Sequence, residues 1–387
     1  MASNTMKPGA RKGEKNVQPY ECFYNVLNPL KKHLPLRMQG EWKIKDVYGT
    51  LIGTAAERQS IHSIDKVLVN NPSETSMWHH LKKLNIDRMI EINNRLLSEP
   101  IMDCIDKEKP HIFIIDETDD PYYGEVTALN EEYVVSGKTK KSTNQFYRYI
   151  TLYIVIGQKK FTLAVLPVKK DKTNVEYVQE FMEIIGKMEL KIEVLLMDRG
   201  FYSTELFLSL QKSETPFIVP VKRHGKEMKK LLSCRCSHYA KYTMDGEAGP
   251  VDLSIAIAAK YIKGKYGKGC VETIGFIVSG IDWKPQKVAK VYKKRFAIEA
   301  SYRMRNIVRP RTSTKHPSVR YLMALISMLL KNIWVAMKWR YFSPVKGGPR
   351  TIDEGKYRFD QFRLMLWSFV TKKFRFVREV PALRLNG

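Results

Sequence analysis

The chain has 387 residues, 44% of them hydrophobic and 11% aromatic, with a formal net charge of +26. That is enough apolar material for a substantial core, which excludes a basic disordered tail, and the charge is far from the near-balance of an ordinary cytosolic enzyme. A folded, strongly cationic chain meets nucleic acid most often and an anionic membrane surface less often.

Residues 1–20 are polar and basic with Gly and Pro, which predicts a flexible arm, and they hold no apolar run that could act as a signal peptide. Five cysteines, an odd number without a framework, fit a reducing cytoplasm, and the expected setting of a DNA-binding chain there is nucleoid-associated. Residues 21–109 show helical patterns and no convincing strand, and read as a helical DNA-binding domain. Ile64, Val67 and Leu68 are followed by Asn70-Asn71-Pro72-Ser73, a stop and a new start, and a helix from Glu74 to Leu84 then aligns Met77, Leu81 and Leu84. With Trp78, His79, His80, Lys82 and Lys83 beside that stripe, the pair suits a helix-turn-helix, although any small helical bundle has the same pattern.

From residue 110 the pattern changes. Ile112–Asp116 is a short apolar run ending in acid, a buried strand whose last residue is expected to be exposed at the sheet edge. Asp119 and Asp120 fall past it, in a turn with Pro121. Arg148–Ile156 and Phe161–Pro167 make a hairpin through Gly157-Gln158, and Thr173 with Glu176 caps a helix burying Val175, Val178, Met182 and Ile185. Ile192–Asp198 repeats the strand ending in Asp, then come a helix over 203–211 and a strand over 217–221. The expected fold is α/β (α+β): a mixed sheet flanked by helices, built from residues 110–221 and 284–340.

Residues 222–283 interrupt it with Gly-rich turns and alternating segments such as Val251–Ala258 and Thr273–Val278, a β-rich insertion. Lys222 and Arg223 open its basic start, which is either a DNA-facing patch or a solvated loop. Cys234, Cys236 and His238 would share one strand face and could add Cys270 around zinc, but C-x-C-x-H is not a usual ligand spacing, so reduced structural cysteines are expected. From Lys284 to Arg320 twelve Lys or Arg surround a single acid, Glu299. Tyr292, Arg295, Glu299 and Asn306 are spaced to share one face of a continuous helix. Helix 319–339 contains the apolar run Tyr321–Leu330, which Lys331 ends; the run is too short to span a bilayer, and no membrane is expected. In the basic region 341–387, Trp367, Phe369, Phe374 and Phe376 alternate with cations, for DNA contact or for packing back on the core.

If the strands ending at Asp116 and Asp198 are neighbours, the two acids share one sheet edge, and the later helix can bring Glu299 to them. Three converging carboxylates repel unless divalent metal neutralises them, and two Mg2+ ions there can drive an in-line displacement at phosphorus. The bland alternative for any one strand-terminal Asp is a loop cap. With these residues the chain resembles the DDE transposases of insertion sequences, specifically the Tn5-like group with an RNase H-like core. The likeness rests on Asp116 and Thr118, on DRGFYS from Asp198 to Ser203, and on Tyr292, Arg295 and Glu299 of the signature Y-x2-R-x3-E-x6-K, and it covers Ile112 to Trp339. Asn306 stands where that signature has Lys, so its contact to DNA near the cut falls to Arg305 or Arg303.

The resemblance implies Asp116, Asp198 and Glu299 as catalytic residues and ligands of two Mg2+ or Mn2+ ions. It also implies Tyr292, Arg295, Arg303 and Arg305 at the DNA, and a homodimer that binds inverted-repeat ends, cuts them and joins 3′ ends to target DNA. Arg199 is a further phosphate contact or a partner for Glu205. Two other readings use the same residues: an RNase H-like nuclease or resolvase without strand transfer, and a transposase-derived DNA-binding protein. The last has no reason to keep three acids clustered.

Overall fold

The computed structural model describes residues 16–34, 36–262, 264, 270–343, 350–377 and 379; most of the expected basic arm, and parts of the 341–387 region, lie outside them. A mixed sheet occupies the centre. Its strands are β1 (Pro110–Pro121), β2 (Val134–Lys140), β3 (Thr143–Ile156), β4 (Lys159–Pro167), β5 (Lys191–Met197), β6 (Phe217–Pro220), β7 (His238–Met244), β8 (Val251–Tyr261) and β9 (Val271–Ser279). They lie in the order β2-β3-β1-β5-β6-β9-β8-β7, and β4 also pairs with β3. β1, β5 and β6 are parallel, and such strands need crossovers; α6 (Asn174–Lys187) and α7 (Thr204–Lys212) lie in them.

Alternation sorts the two faces of this sheet. Phe113, Ile115, Leu195 and Met197 pack with Val178, Phe181, Leu206 and Phe207 of α6 and α7. Ile112, Ile114, Val194 and Leu196 meet Val288, Val291 and Ile298 of α9 (Pro285–Tyr292) and α10 (Ala297–Ile307). Asp116 lies two residues past Ile114 and Asp198 two past Leu196, so the period of two sends both carboxylates toward α9 and α10.

Two expectations, the turn after Asp116 and the single helix through Glu299, need correction here. β1 does not stop at Asp116: Thr118 to Pro121 keep pairing with β3, so Asp119 and Asp120 belong to the strand and not to a turn. The strands within 222–283 join the central sheet: β9 pairs with β6, and β8 and β7 prolong it. Tyr292 to Asn306 is not one helix, since a 3-10 turn over Lys293–Phe296 separates α9 from α10. Four residues at about 120° instead of about 100° rotate the following helix by roughly 80°, which breaks the face that Tyr292 and Glu299 were to share.

A second core joins α1 (Pro19–His33), α2 (Ile44–Ala56), α3 (Ile61–Val67), α4 (Glu74–Leu81) and α5 (Ile86–Ser98) to α11 (Pro317–Tyr341) and α12 (Phe359–Phe374). α3 and α4 form as expected, with the Ser73 hydroxyl accepting from the Ser76 amide at 3.3 Å, but α4 ends at Leu81 and His80 is buried. Phe362, Leu366, Val370 and Phe374 recur every four residues and are buried, so α12 packs back on α1 and α2. Gly53 permits this: a Cβ there would lie 2.8 Å from the Val370 Cγ1. α11, at 25 residues, is long and apolar enough to cross a bilayer by length and composition, contrary to the expectation of a short segment. Its most apolar stretch is 89% buried inside the protein, which makes it the core helix on which the layers meet.

Candidate active site

The parallel register pairs Ile114 with Leu196 and Ile115 with Met197, so Asp116 and Asp198 follow side by side where the two strands end. This is the carboxyl edge of a parallel pair, where open α/β sheets bind ligands. Asp198 turns the chain into a short 3-10 segment, Arg199–Phe201, its Oδ1 accepting from the Gly200 amide at 2.6 Å. A Cβ on residue 200 would lie 2.8 Å from that same oxygen, so a larger residue there would displace the Asp198 carboxylate.

Asp116 is not exposed at the sheet edge as expected: it is 7% exposed, with Arg295 and Tyr302 packed against it. Burial pushes its carboxyl up to about 7; the Arg295 guanidinium opposes this and the Asp198 carboxylate adds to it. Arg295 Nη1 lies 3.1 Å from Asp116 Oδ2, and the Arg295 Nε is buried with no partner. On the far side, Thr151 Oγ1 and Tyr302 Oη are 2.7 Å apart and each 3.2 Å from the Asp116 carbonyl oxygen. One proton bridges the two hydroxyls and the other goes to the carbonyl. Arg295, just before α10, and Tyr302, within it, therefore dock that helix on Asp116.

Glu299 sits in the first turn of α10, between those two anchors in sequence, and is exposed. Among the described residues no three His, Cys, Asp or Glu side chains stand close enough to hold a metal ion, so the structure brings Asp116 and Asp198 together and leaves Glu299 outside their pair. The same holds for the zinc candidates: Cys234 and Cys236 are exposed and Cys270 half-buried, all as free thiols.

Residues 107–329, more than half of the chain, match the family described as Transposase DDE domain. The chain belongs to that family. No curated protein matches the chain. Among solved structures it is similar to a piggyBac transposase synaptic complex with hairpin DNA, at 15% identity and a TM-score of 0.51, over 97% of this chain and 84% of that one. At that identity the likeness is one of fold, and it agrees with the RNase H-like sheet and helices expected from the sequence.

The DDE domain uses several of its arginines structurally. Even-numbered residues of β1 beyond Asp116 also face α10: Arg305 Nη1 donates to Thr118 Oγ1 at 3.0 Å, and both Arg305 and Arg309 pair with Asp120. Arg305, expected at a phosphate, is 2% exposed with both its terminal nitrogens committed inward. Tyr292, also expected at the DNA, is buried: its hydroxyl donates to the Met197 carbonyl at 3.2 Å and its ring packs on Phe276. Arg199, Lys222, Arg223 and Arg303 are exposed, with Lys222 lying over the Tyr202 ring and Arg223 donating to Thr273 at 3.4 Å. On the opposite face of β1, Arg148 pairs with Glu117 and Asp119 and Lys140 with Asp119, so Asp119 is a structural acid.

Tyr302, Thr151, Arg148 and Arg309 escape reading from the sequence. Tyr302 had one signal, its place three residues after Glu299 on the same turn-to-turn stripe.

The Asp116 carboxyl predicts a pH dependence. In the folded chain it keeps its proton to about pH 7, against about pH 4 in the unfolded chain. The folded state binds more protons in that window, so the stability this group contributes is complete below about pH 4 and lost as pH rises through about 7. Urea titrations in EDTA are expected to show Asp116→Asn gaining stability relative to the parent as pH rises from 4 to 8. A difference that does not change with pH would mean the carboxyl is not held protonated.

Proposed function

We propose that this chain is a transposase of the Tn5-like group, which binds the inverted-repeat ends of an insertion sequence, cleaves DNA, and transfers the 3′ ends to target DNA as a homodimer in the cytoplasm. The observation that carries the reading is the buried Asp116 beside Asp198 at the ends of two parallel strands, in a chain of net charge +26. The motif Tyr292, Arg295, Glu299 supports the group assignment.

The residues present fit a divalent ion. A buried carboxylate next to a second one, answered by a single guanidinium, is short of positive charge, and Mg2+ is commonly held by one or two carboxylates together with substrate phosphates. Asp116 and Asp198 would hold Mg2+ or Mn2+; Glu299 stands outside this pair in the structure and is assigned as the third carboxylate of a two-ion centre on its motif. Such ions, when bound, supply activation of a water or 3′-hydroxyl and stabilisation of the leaving oxygen. The protein's own part is placement. Arg295 fixes the Asp116 carboxylate, Tyr302 and Thr151 fix its main chain, and the Gly200 amide holds the Asp198 carboxylate. Exposed Arg199, Arg303, Lys222 and Arg223 offer charge for the phosphate backbone, and α3–α4 offers a helical pair for end recognition.

The test is a joining assay. Purified protein, Mg2+, a duplex bearing its element's terminal repeat, and a supercoiled target are incubated, and end-to-target joints are scored on a gel. Joints at 3′ ends support the reading. Cleavage without joints would make the protein a nuclease, and binding alone a DNA-binding derivative.

A further inference from the structure

A cavity of about 400 Å³ lies away from the carboxylate pair, between the end of α2, the end of β1, the β2–β3 turn and the segment joining α10 to α11. Five cations line it, Arg58, Lys141, Arg309, Arg311 and Arg320, against one carboxylate, Asp120. That carboxylate is already shared by Arg305 and Arg309, and the buried Arg305 Nε has no partner. Arg320 is held between the Tyr122 and Tyr147 rings, at 4.8 and 4.7 Å, while it donates to the Thr312 and Thr314 carbonyls. Among the described residues the side chains of Arg58, Lys141 and Arg311 have no hydrogen-bond or ion-pair partner, and all three are exposed at the rim.

The backbone holds these rim cations in place. Lys141 and Ser142 form a two-residue hairpin turn with φ of 51° and 64°, a conformation that Asn-Gly usually fills, and Arg58 has φ 52°. The Tyr123 hydroxyl donates to the Lys141 carbonyl at 2.9 Å, and the Arg311 amide donates to the Gln59 carbonyl at 3.0 Å. The loop after β1 is thus tied to the hairpin turn, and the α10–α11 segment to the end of α2, before any ligand arrives.

We propose that this cavity binds phosphate groups of the DNA backbone, as a second anchor separate from the carboxylate centre. The inference rests on the reading that the chain acts on DNA. Asp120 lies four residues beyond Asp116 on the same face of β1, about 13 Å along the strand at about 3.3 Å per residue. At about 3.4 Å per base pair that is roughly four base pairs, so one duplex can reach both places. The alternative source of the same chemistry is a free polyphosphate.

The test is the salt dependence of binding, read by fluorescence anisotropy on an end-bearing duplex with the full chain. The triple variant Arg58→Ala, Lys141→Ala, Arg311→Ala removes side chains with no partners in the fold, and Lys187→Ala, on exposed α6 surface, is the control. The log–log salt slope of the triple variant should be shallower by about one for each cation that meets a phosphate. A slope equal to the control overturns the proposal. If slopes coincide while inorganic pyrophosphate raises the Tm of the parent and not of the triple variant, the source is a free polyphosphate and the DNA assignment falls. Joining activity is read separately: a chain that shows the slope change but makes no joints keeps this anchor and loses the transposase reading, and a chain that joins ends with unchanged slopes does the reverse.

Discussion

Asp116→Asn and Asp198→Asn are each expected to slow metal-dependent cleavage of end DNA by about 10³-fold, the rate equivalent of losing several kcal/mol of metal-assisted charge stabilisation. Binding should change little, because affinity comes mainly from Lys and Arg on phosphates. The two acids are neighbours by strand register and share a face of the sheet, so either change breaks the same pair. Asp119→Asn is the contrast: its carboxylate is engaged with Arg148 and Lys140 across the strand, and cleavage should persist. Cleavage on a denaturing gel and anisotropy on the same preparations separate the two quantities. Glu299→Gln is expected to fall with the aspartates; full activity would reduce the centre to two carboxylates.

The largest effect on stability is expected at Asp120. It is the carboxylate for both Arg305 and Arg309, and burial pulls the Arg309 guanidinium down against the pull of Asp120. Asp120→Ala leaves the buried Arg305 and half-buried Arg309 without their acid, a change of about 3–5 kcal/mol by the usual cost of breaking a buried pair from one side. Arg305→Met removes a charge along with its need for a partner and should cost less. Urea unfolding of the two variants gives the order directly. Equal losses would mean that Arg309 alone does not satisfy Asp120. Arg305→Ala, which the signature alone would make a cleavage defect, becomes a stability defect.

Much of the sheet is legible because its evidence is local. A buried apolar run that ends in Asp, twice, locates both β1 and β5, and the period of two then decides which way Asp116 and Asp198 point. The Gly157-Gln158 hairpin and the Thr173 cap are equally short-range. What escapes is tertiary. That β1 continues to Pro121 depends on pairing with β3, and only then do Thr118 and Asp120 become partners for Arg305. The break after Tyr292 has no Pro or Gly to announce it; the chain tightens where Arg295 turns in to Asp116. A run of cations in a sequence does not say which of them are spent on buried acids, and here Arg295, Arg305 and Arg309 are, while Arg303 is not.

The central claim is that Asp116 and Asp198 hold a divalent cation. Mn2+ titrated into the protein without DNA, with free ion followed by electron paramagnetic resonance, tests it apart from any activity. Saturable binding in the parent that is lost in Asp198→Asn and kept in Asp119→Asn is the expected result. Equal Mn2+ binding by the parent and Asp198→Asn would contradict it.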